Sequence, residues 1–449
     1  MPINQTDLCT DREPDEYLKE WREVPLASVA EVRFSSVNKI SQPGEEPVRL
    51  CNYIDVYNND YVTADMDFMR ATATRSEIKR FGLQVGDVII TKDSETPNDI
   101  GIPAVVDTTA PDLVCGYHLA LLRPNQAEVD PTFLAKQLAH HRIARYFGQQ
   151  ANGSTRYSLS TAAIANAPLH LPRPENQRSA SVLMRLVDTH ITKTEAVIVK
   201  LKQVRAGMLH DLLSYGLDEN GQLRDPIAHP EQFKNSPLGR IPKEWEVSRI
   251  EDVSEKVQDG THFSPKSNKG PRRYLTSKNI RLGYIDLSDC GWISENEHHA
   301  IFRRCDVRRG DVLLTKDGAN TGNAAINILD DDFSLLSSVA FIRGKKGRLI
   351  SEYLLNYLIS PVAQKRIKDL MSGNAITRLT LQKIKDFTIP VPEPIEQQMI
   401  AEYFNECAKA ISEYEAELES YKNIKFGLQD DLLTGRVRVP ETIISIDNG

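Results

Sequence analysis

The sequence predicts an α+β protein built as an internal two-fold repeat, with two mixed α/β domains separated by two long α-helices packed as an antiparallel coiled coil. Three observations predict it. Collinear strings recur at a displacement of 220 to 224 residues. Each copy opens with short β-type runs punctuated by Gly, Pro, Asn and Asp. Each copy closes on a Pro-free run of more than thirty residues with apolar positions three and four apart.

The repeat sets the order of elements. Glu20-Trp21 returns as Glu244-Trp245, and GDVIITKD (86–93) as GDVLLTKD (310–317). LALLR (119–123) meets VAFIR (339–343), LPRPENQ (171–177) meets VPEPIEQ (391–397), and GMLHDLLS (207–214) meets GLQDDLLT (427–434). An acidic leader (1–19) precedes the first domain (20–177), in which a helical stretch at 132–147 interrupts the strands. Pro then ends the last strand, because it removes a ladder donor. A central long helix (178–214) follows. The linker (215–242) holds Gly216, Gly221, Pro226, Pro230, Pro237, Gly239 and Pro242. The second domain (243–395), with a helical stretch at 351–371, leads into a C-terminal long helix (396–434) and a tail (435–449).

The first helix carries Leu183, Val187, Ile191, Thr194, Ile198, Leu201, Val204, Met208 and Leu212 on one narrow face. The second carries Phe404, Cys407, Ile411, Tyr414, Leu418, Tyr421, Ile424, Leu428 and Leu432. A helix of some 36 residues is a rod of about 54 Å. Such a rod does not bury a seam by itself, and its natural partner is its copy in the other half.

With 449 residues, 40% of them apolar and 26% charged, the chain is an ordinary globular sequence long enough for more than one core. No stretch approaches 18 consecutive apolar residues and the N-terminus is polar, so a membrane span and a secretory signal are not expected, and the expected location is the cytoplasm. The six cysteines are far apart and never form CxxC, which favours reduced thiols over a disulfide framework. The net charge of −7 is unevenly placed. Residues 1–20 hold six acids against two bases and 396–433 hold nine against three, so the remainder sums to +3. Within it, 264–309 carries ten bases against five acids and 343–385 ten against two. These basic zones inside an acidic chain favour an anionic polymer as ligand.

Catalytic signatures do not emerge. The sequence has no GxGxxG after a strand, no GxxxxGK[ST], no HExxH, no GxSxG and no EF-hand loop. His140-His141 and His298-His299 raise a metal reading, but neighbouring side chains on a helix or strand point apart, and no metal is expected. Asp87 and Asp311 beside the repeated Thr-Lys-Asp resemble one half of a nuclease centre, which needs further convergent carboxylates.

The functional reading of the strand ends is a loop facing a polyanion. In the second half, Lys316 leads into Asp317-Gly318-Ala319-Asn320-Thr321-Gly322-Asn323, small and amide-rich, fit to approach phosphates or base edges. In the first half, Lys92 leads into Asp93-Ser94-Glu95-Thr96-Pro97-Asn98-Asp99, a different chemistry at the same place. Lys266, Lys269, Arg272, Arg273 and Lys278 lie near His262, and Arg378 follows a GNAIT turn that Asn152-Gly153-Ser154-Thr155-Arg156-Tyr157 parallels. Arg75 belongs to a further basic cluster. The candidate residues for binding an anionic polymer are therefore Arg75, Lys92, Ser94, Arg156, Tyr157, His262, Lys266, Lys269, Arg272, Arg273, Lys278, Lys316, Asn320, Thr321 and Arg378.

The GDV(I/L)(I/L)TKD segments, SSVAFIR, VPEPIEQQMIA, LQDDLLTGRVRV and IPKEWEV together resemble the DNA-specificity subunits of type I restriction-modification enzymes over about 20–440. The resemblance implies a non-enzymatic reader whose two target-recognition domains each recognise one half of a bipartite, asymmetric double-stranded DNA site while the helices fix the gap. It implies two methyltransferase subunits carrying S-adenosylmethionine for adenine methylation and restriction/translocase subunits using ATP and Mg, with no cofactor on this chain and no membrane. The rival expectation from the residues alone is a coiled-coil adaptor without DNA specificity.

Overall fold

The structure, a computed structural model, describes residues 20–439 apart from 268 and 372–377. The acidic leader, the tail from 440 onward and the GNAIT turn before Arg378 lie outside the described residues. The chain forms two compact units, 20–195 with 417–439, and 196–416. Each is a mixed α/β domain, and long helices connect the two.

In the first unit the two larger sheets are formed by β1 (Ala30–Phe34), β2 (Glu46–Cys51), β3 (Tyr61–Val62), β4 (Met69–Ala73), β5 (Val88–Thr91), β6 (Pro103–Val106), β7 (Leu113–Cys115) and β8 (Leu119–Pro124). The main sheet runs β1-β8-β5-β6-β3, and a smaller one runs β4-β2-β7 with β2 antiparallel to β4 and parallel to β7. The second unit has β9 (Ser254–Asp259), β10 (Arg272–Leu275), β11 (Gly291–Ile293), β12 (Val312–Thr315), β13 (Ala324–Ile326), β14 (Ser334–Leu335) and β15 (Val339–Gly344). Its sheets run β9-β15-β12-β13 and β11-β10-β14, again one antiparallel and one parallel neighbour around β10.

The apolar runs of β5 and β12 are fully buried because each central strand has a core on both faces. Val88 and Ile90 face one cluster and Ile89 the other; Val312 and Leu314 face one and Leu313 the other, as period-two alternation requires. The preceding Gly86 and Gly310 have φ of +86° and +88°, a turn conformation that side chains resist. The Asp that follows each glycine is the reason the motif repeats. Asp87 accepts the Gln84 N–H at 2.8 Å and two bonds from Arg123 at 2.8 and 2.7 Å. Asp311 accepts the Arg308 N–H at 2.8 Å and two bonds from Arg343 at 2.9 and 2.8 Å. The arginines that end LALLR and VAFIR therefore lock the GDV turns from the neighbouring strand. Both carboxylates are 2% exposed and committed to structure, which removes them as nuclease acids.

The long helices span Pro174–Ser214 and Pro394–Thr434. They start earlier than the expected 178 and 396, because proline suits the first helical turn, where its missing N–H had no partner to lose. In the first unit the start of one helix lies antiparallel to the end of the other, with Asp188 beside Lys425 at 2.8 Å and Glu195 beside Lys422 at 3.1 Å. In the second unit Lys202 meets Glu415 at 2.7 Å, and Leu209, Leu212 and Leu213 share a core with Ile400 and Phe404.

The seam departs from the apolar reading at three places. Val204 and Ile424 are 42% and 49% exposed, while the next residues, Arg205 and Lys425, are half-buried. Asp188, not Val187, is the buried residue of its turn. At 205 and 425 the heptad phase explains this: 194, 198, 201, 205, 208, 212 and 414, 418, 421, 425, 428, 432 keep the alternation of four and three that the apolar choice broke, whereas Asp188 stands one residue off that phase and is buried by its ion pairs. The charge at 425 is balanced, since Lys425 and Lys136 both pair with Asp60 and Asp188 at 2.7–2.8 Å.

Candidate nucleic-acid interface

In both units the backbone leaves the central strand in the same way. Lys92 N–H donates to the His118 carbonyl at 3.1 Å, and the Lys92 carbonyl accepts from Leu159 N–H at 2.9 Å. Lys316 N–H donates to the Ser338 carbonyl at 2.8 Å, and the Lys316 carbonyl accepts from Leu379 N–H at 2.8 Å. The strand after Lys92 pairs Ser94 with Tyr157 and Asp93 with Ser158, and after Lys316 the bridge is Asp317 with Arg378. The structure thus joins Lys92, Ser94, Arg156 and Tyr157 at one strand end, and Lys316, Asn320, Thr321 and Arg378 at the other.

The two lysines correct the expectation of surface cations. Lys92 is 8% and Lys316 2% exposed. Lys92 Nζ donates to Asp93 at 2.7 Å and lies over the Phe34 and Tyr117 rings at 5.5 and 4.8 Å. Lys316 Nζ is 3.3 Å from Asp259 Oδ2. An ammonium beside a strand end in the core needs a carboxylate, and each unit supplies one. Each carboxylate then reaches a partly exposed histidine: Asp93 Oδ2 lies 2.8 Å from His118 Nδ1, and Asp259 Oδ2 lies 3.4 Å from His262 Nε2.

Other candidates are also engaged within the protein. Ser94 is buried. Asn320 Nδ2 donates to the Ser277 carbonyl at 3.1 Å and Asn323 Nδ2 to that of Ile280 at 3.3 Å, so these amides brace the loop they were expected to project from. Thr321 Oγ1 donates to the Gly318 carbonyl at 2.6 Å. Arg272 pairs with Glu295 at 2.7 Å, Arg273 with Asp331 at 2.8 Å while covering Trp292, and Lys278 with Asp289 at 2.7 Å. The basic zone 264–309 is therefore largely neutralised locally. Arg75 pairs with Glu46 at 2.6 Å, at the start of β2 on the smaller sheet. Arg156, His262, Lys266, Lys269 and Arg378 are exposed, and Arg378 sits 3.8 Å from Asp317.

Sequence reasoning missed His118, Tyr117, Asp259, Phe263 and Arg304. Tyr117 is 51% and Phe263 82% exposed, each adjacent in sequence to the carboxylate-held histidine. A cleft of about 510 Å³ beside His262 is lined by Phe263, Lys266, Glu297, Arg304 and Cys305 among others. The available signal was the exposed aromatic next to a histidine in a turn flanking the repeated strand.

The histidine pairs also need a correction. His140 and His141 do not point apart: their rings lie 4.1 Å apart, because His140 is an extended residue (φ −63°, ψ 140°) between helices Pro131–Ala139 and His141–Gln150. With Asp430 they are a group whose ligand atoms lie within 4.8 Å of one another. Asp430 already pairs with Arg436 through its other oxygen. Burial, then the neighbouring His141, Arg142 and Arg436, holds the His140 imidazole down to about 4. His298 is buried against Ser334 at 3.0 Å, while His299 is exposed. Among the described residues no helix is long and apolar enough to cross a membrane.

The fold is shared by solved structures. The S subunit of a type I restriction-modification system from M. genitalium aligns with a TM-score of 0.56 at 14% identity, over 92% of this chain and 96% of that one. A chain from a structural study of complex assembly in the type I R-M system aligns at 0.52 and 17%, over 92% and 97%. The family described as type I restriction modification DNA specificity domain matches residues 242–420. The chain is 23% identical over 372 residues to the putative type I restriction enzyme MjaX specificity subunit of Methanocaldococcus jannaschii, covering 81% of each. It is 24% identical over 283 residues to the EcoBI specificity subunit of Escherichia coli, covering 61% of this chain and 59% of that one. Residues 242–420 thus match the type I restriction modification DNA specificity domain, and the chain as a whole is similar to specificity subunits of type I restriction enzymes.

Proposed function

We propose that the two recognition domains, 20–177 and 243–395, each read one half of a bipartite, asymmetric site on double-stranded DNA, with the helices 178–214 and 396–434 fixing the spacer and docking two methyltransferase subunits. S-adenosylmethionine then belongs to those partners, and ATP and Mg to restriction/translocase subunits, in the cytoplasm. One observation carries the reading: the units share the order of four strands in the main sheet and one lysine-bearing strand end but surround it with different loops. One frame with two surface chemistries is what two half-sites of one ligand class require. Of the fifteen candidate contacts, Arg75, Arg156, His262, Lys266, Lys269, Lys278 and Arg378 are exposed and available to DNA, with Arg75, His262, Lys278 and Arg378 each beside a carboxylate. Single-molecule sequencing of genomic methylation with and without this gene tests the proposal. Loss of a bipartite N6-methyladenine motif on deletion is the expected result, and an unchanged methylome in a strain expressing the methyltransferase subunit overturns it.

A further inference from the structure

We propose that His118 and His262 are specificity-determining residues, each a base-reading group beside an aspartate that pairs with the lysine following the central strand of its domain. The inference rests on the DNA-reading function above. The geometry is convergent. The repeat would equate His118 with Ser338 and His262 with Asn38, so neither histidine is inherited from the shared frame. Yet each unit assembles the same chain of contacts from different loops. In one, Lys92, Asp93 and His118 are linked at 2.7 and 2.8 Å. In the other, Lys316, Asp259 and His262 are linked at 3.3 and 3.4 Å. The lysines are buried, whereas the histidine side chains are 37% and 46% exposed.

This arrangement orients an imidazole. Asp93 accepts the Nδ1–H of His118 and selects the tautomer whose Nε2 is an acceptor, and Asp259, an ion-pair neighbour 3.4 Å from Nε2 of His262, favours the tautomer whose Nδ1 is an acceptor. In the major groove the exocyclic amino groups of adenine and cytosine are the donors such a nitrogen takes. The lysine offsets the aspartate's charge, which would otherwise oppose a polyanion at the same place. The neighbours fit this role as well: Tyr117 packs edge-on to His118 at 5.0 Å, and Phe263 projects beside the cleft of about 510 Å³ next to His262. Arg304, which also lines that cleft, reaches Asp259 at 3.5 Å and is 62% exposed.

The test uses the assembled complex in its host, with His118→Ala and His262→Ala chromosomal variants and single-molecule methylation sequencing. His118→Ala is expected to make one position of one half-site degenerate, lowering discrimination there about tenfold or more, with the other half-site unchanged. His262→Ala is expected to do the same in the opposite half. The untouched half-site reports that the variant folds and assembles. For an alanine variant that does not assemble, His118→Asn or His262→Asn keeps a donor toward the carboxylate, and the same position must change. An unaltered motif in both variants, a uniform loss of methylation with the motif intact, or a change in both halves from one substitution each overturns the proposal. A wild-type methylome indifferent to deletion of the gene fails the underlying function instead.

Discussion

Replacing Arg343 by Met would isolate the interaction that holds the second domain's central strand. Arg343 is 11% exposed and Asp311 2%. The guanidinium donates to both Asp311 oxygens at 2.9 and 2.8 Å and to the Asp306 carbonyl at 2.7 Å. Methionine keeps most of the stem and its packing on Phe341 but leaves a buried carboxylate without its counter-charge. Breaking a buried pair in this way costs about 3–5 kcal/mol. For a domain of 150–250 residues that is a fall in Tm of about 6–20 °C. Scanning calorimetry of the full chain should show the transition of the second unit moving while that of the first stays. Adding Asp311→Asn removes the stranded charge, so the double variant should recover a large part of the loss. A shift below about 1 kcal/mol in Arg343→Met, or additive losses in the two single variants, would refute the account of the repeated GDV aspartate as a structural partner of the VAFIR arginine.

Three further outcomes are expected. Arg378→Ala, at an exposed site, should weaken binding of duplex DNA carrying the methylated motif and reduce the slope of log K against log[salt] by about one, read by fluorescence anisotropy at several salt concentrations. Removing one heptad from each long helix shortens it by about 10 Å, so the spacer in the methylome should contract by about three base pairs with both half-sites intact; an altered half-site would count against a ruler. Folded His140 titrates at about 4, below its ordinary 6.5, so the unfolded chain binds the proton more readily between these values. Stability of the first unit should therefore fall as pH drops from about 6.5 toward 4, and His140→Asn should flatten that part of a Tm-against-pH profile.

The elements that were legible in the sequence are those specified by local pattern. The strand runs VIIT and VLLT declared themselves by length and apolarity, and the helix ends at Ser214 and Thr434 by the return of glycine. The seam was read one residue out of phase at Val204 and Ile424, because apolarity was followed where heptad phase decides, and a charged residue occupies the seam in both copies. At the strand ends, Lys92 and Lys316 were recognised as special but assigned to solvent. Their burial depends on carboxylates and rings that the fold brings from elsewhere.

The sequence by itself determined the two-fold repeat, the mixed α/β frame and the long amphipathic helices, since periodicity and turn residues act over a few neighbours and recur in both copies. Only the tertiary structure decided which charges are exposed. Lys316 meets Asp259 across 57 positions and Arg343 meets Asp311 across 32. Whether a cation is buried, paired or exposed is set by chain segments folded against it, and no local period encodes that.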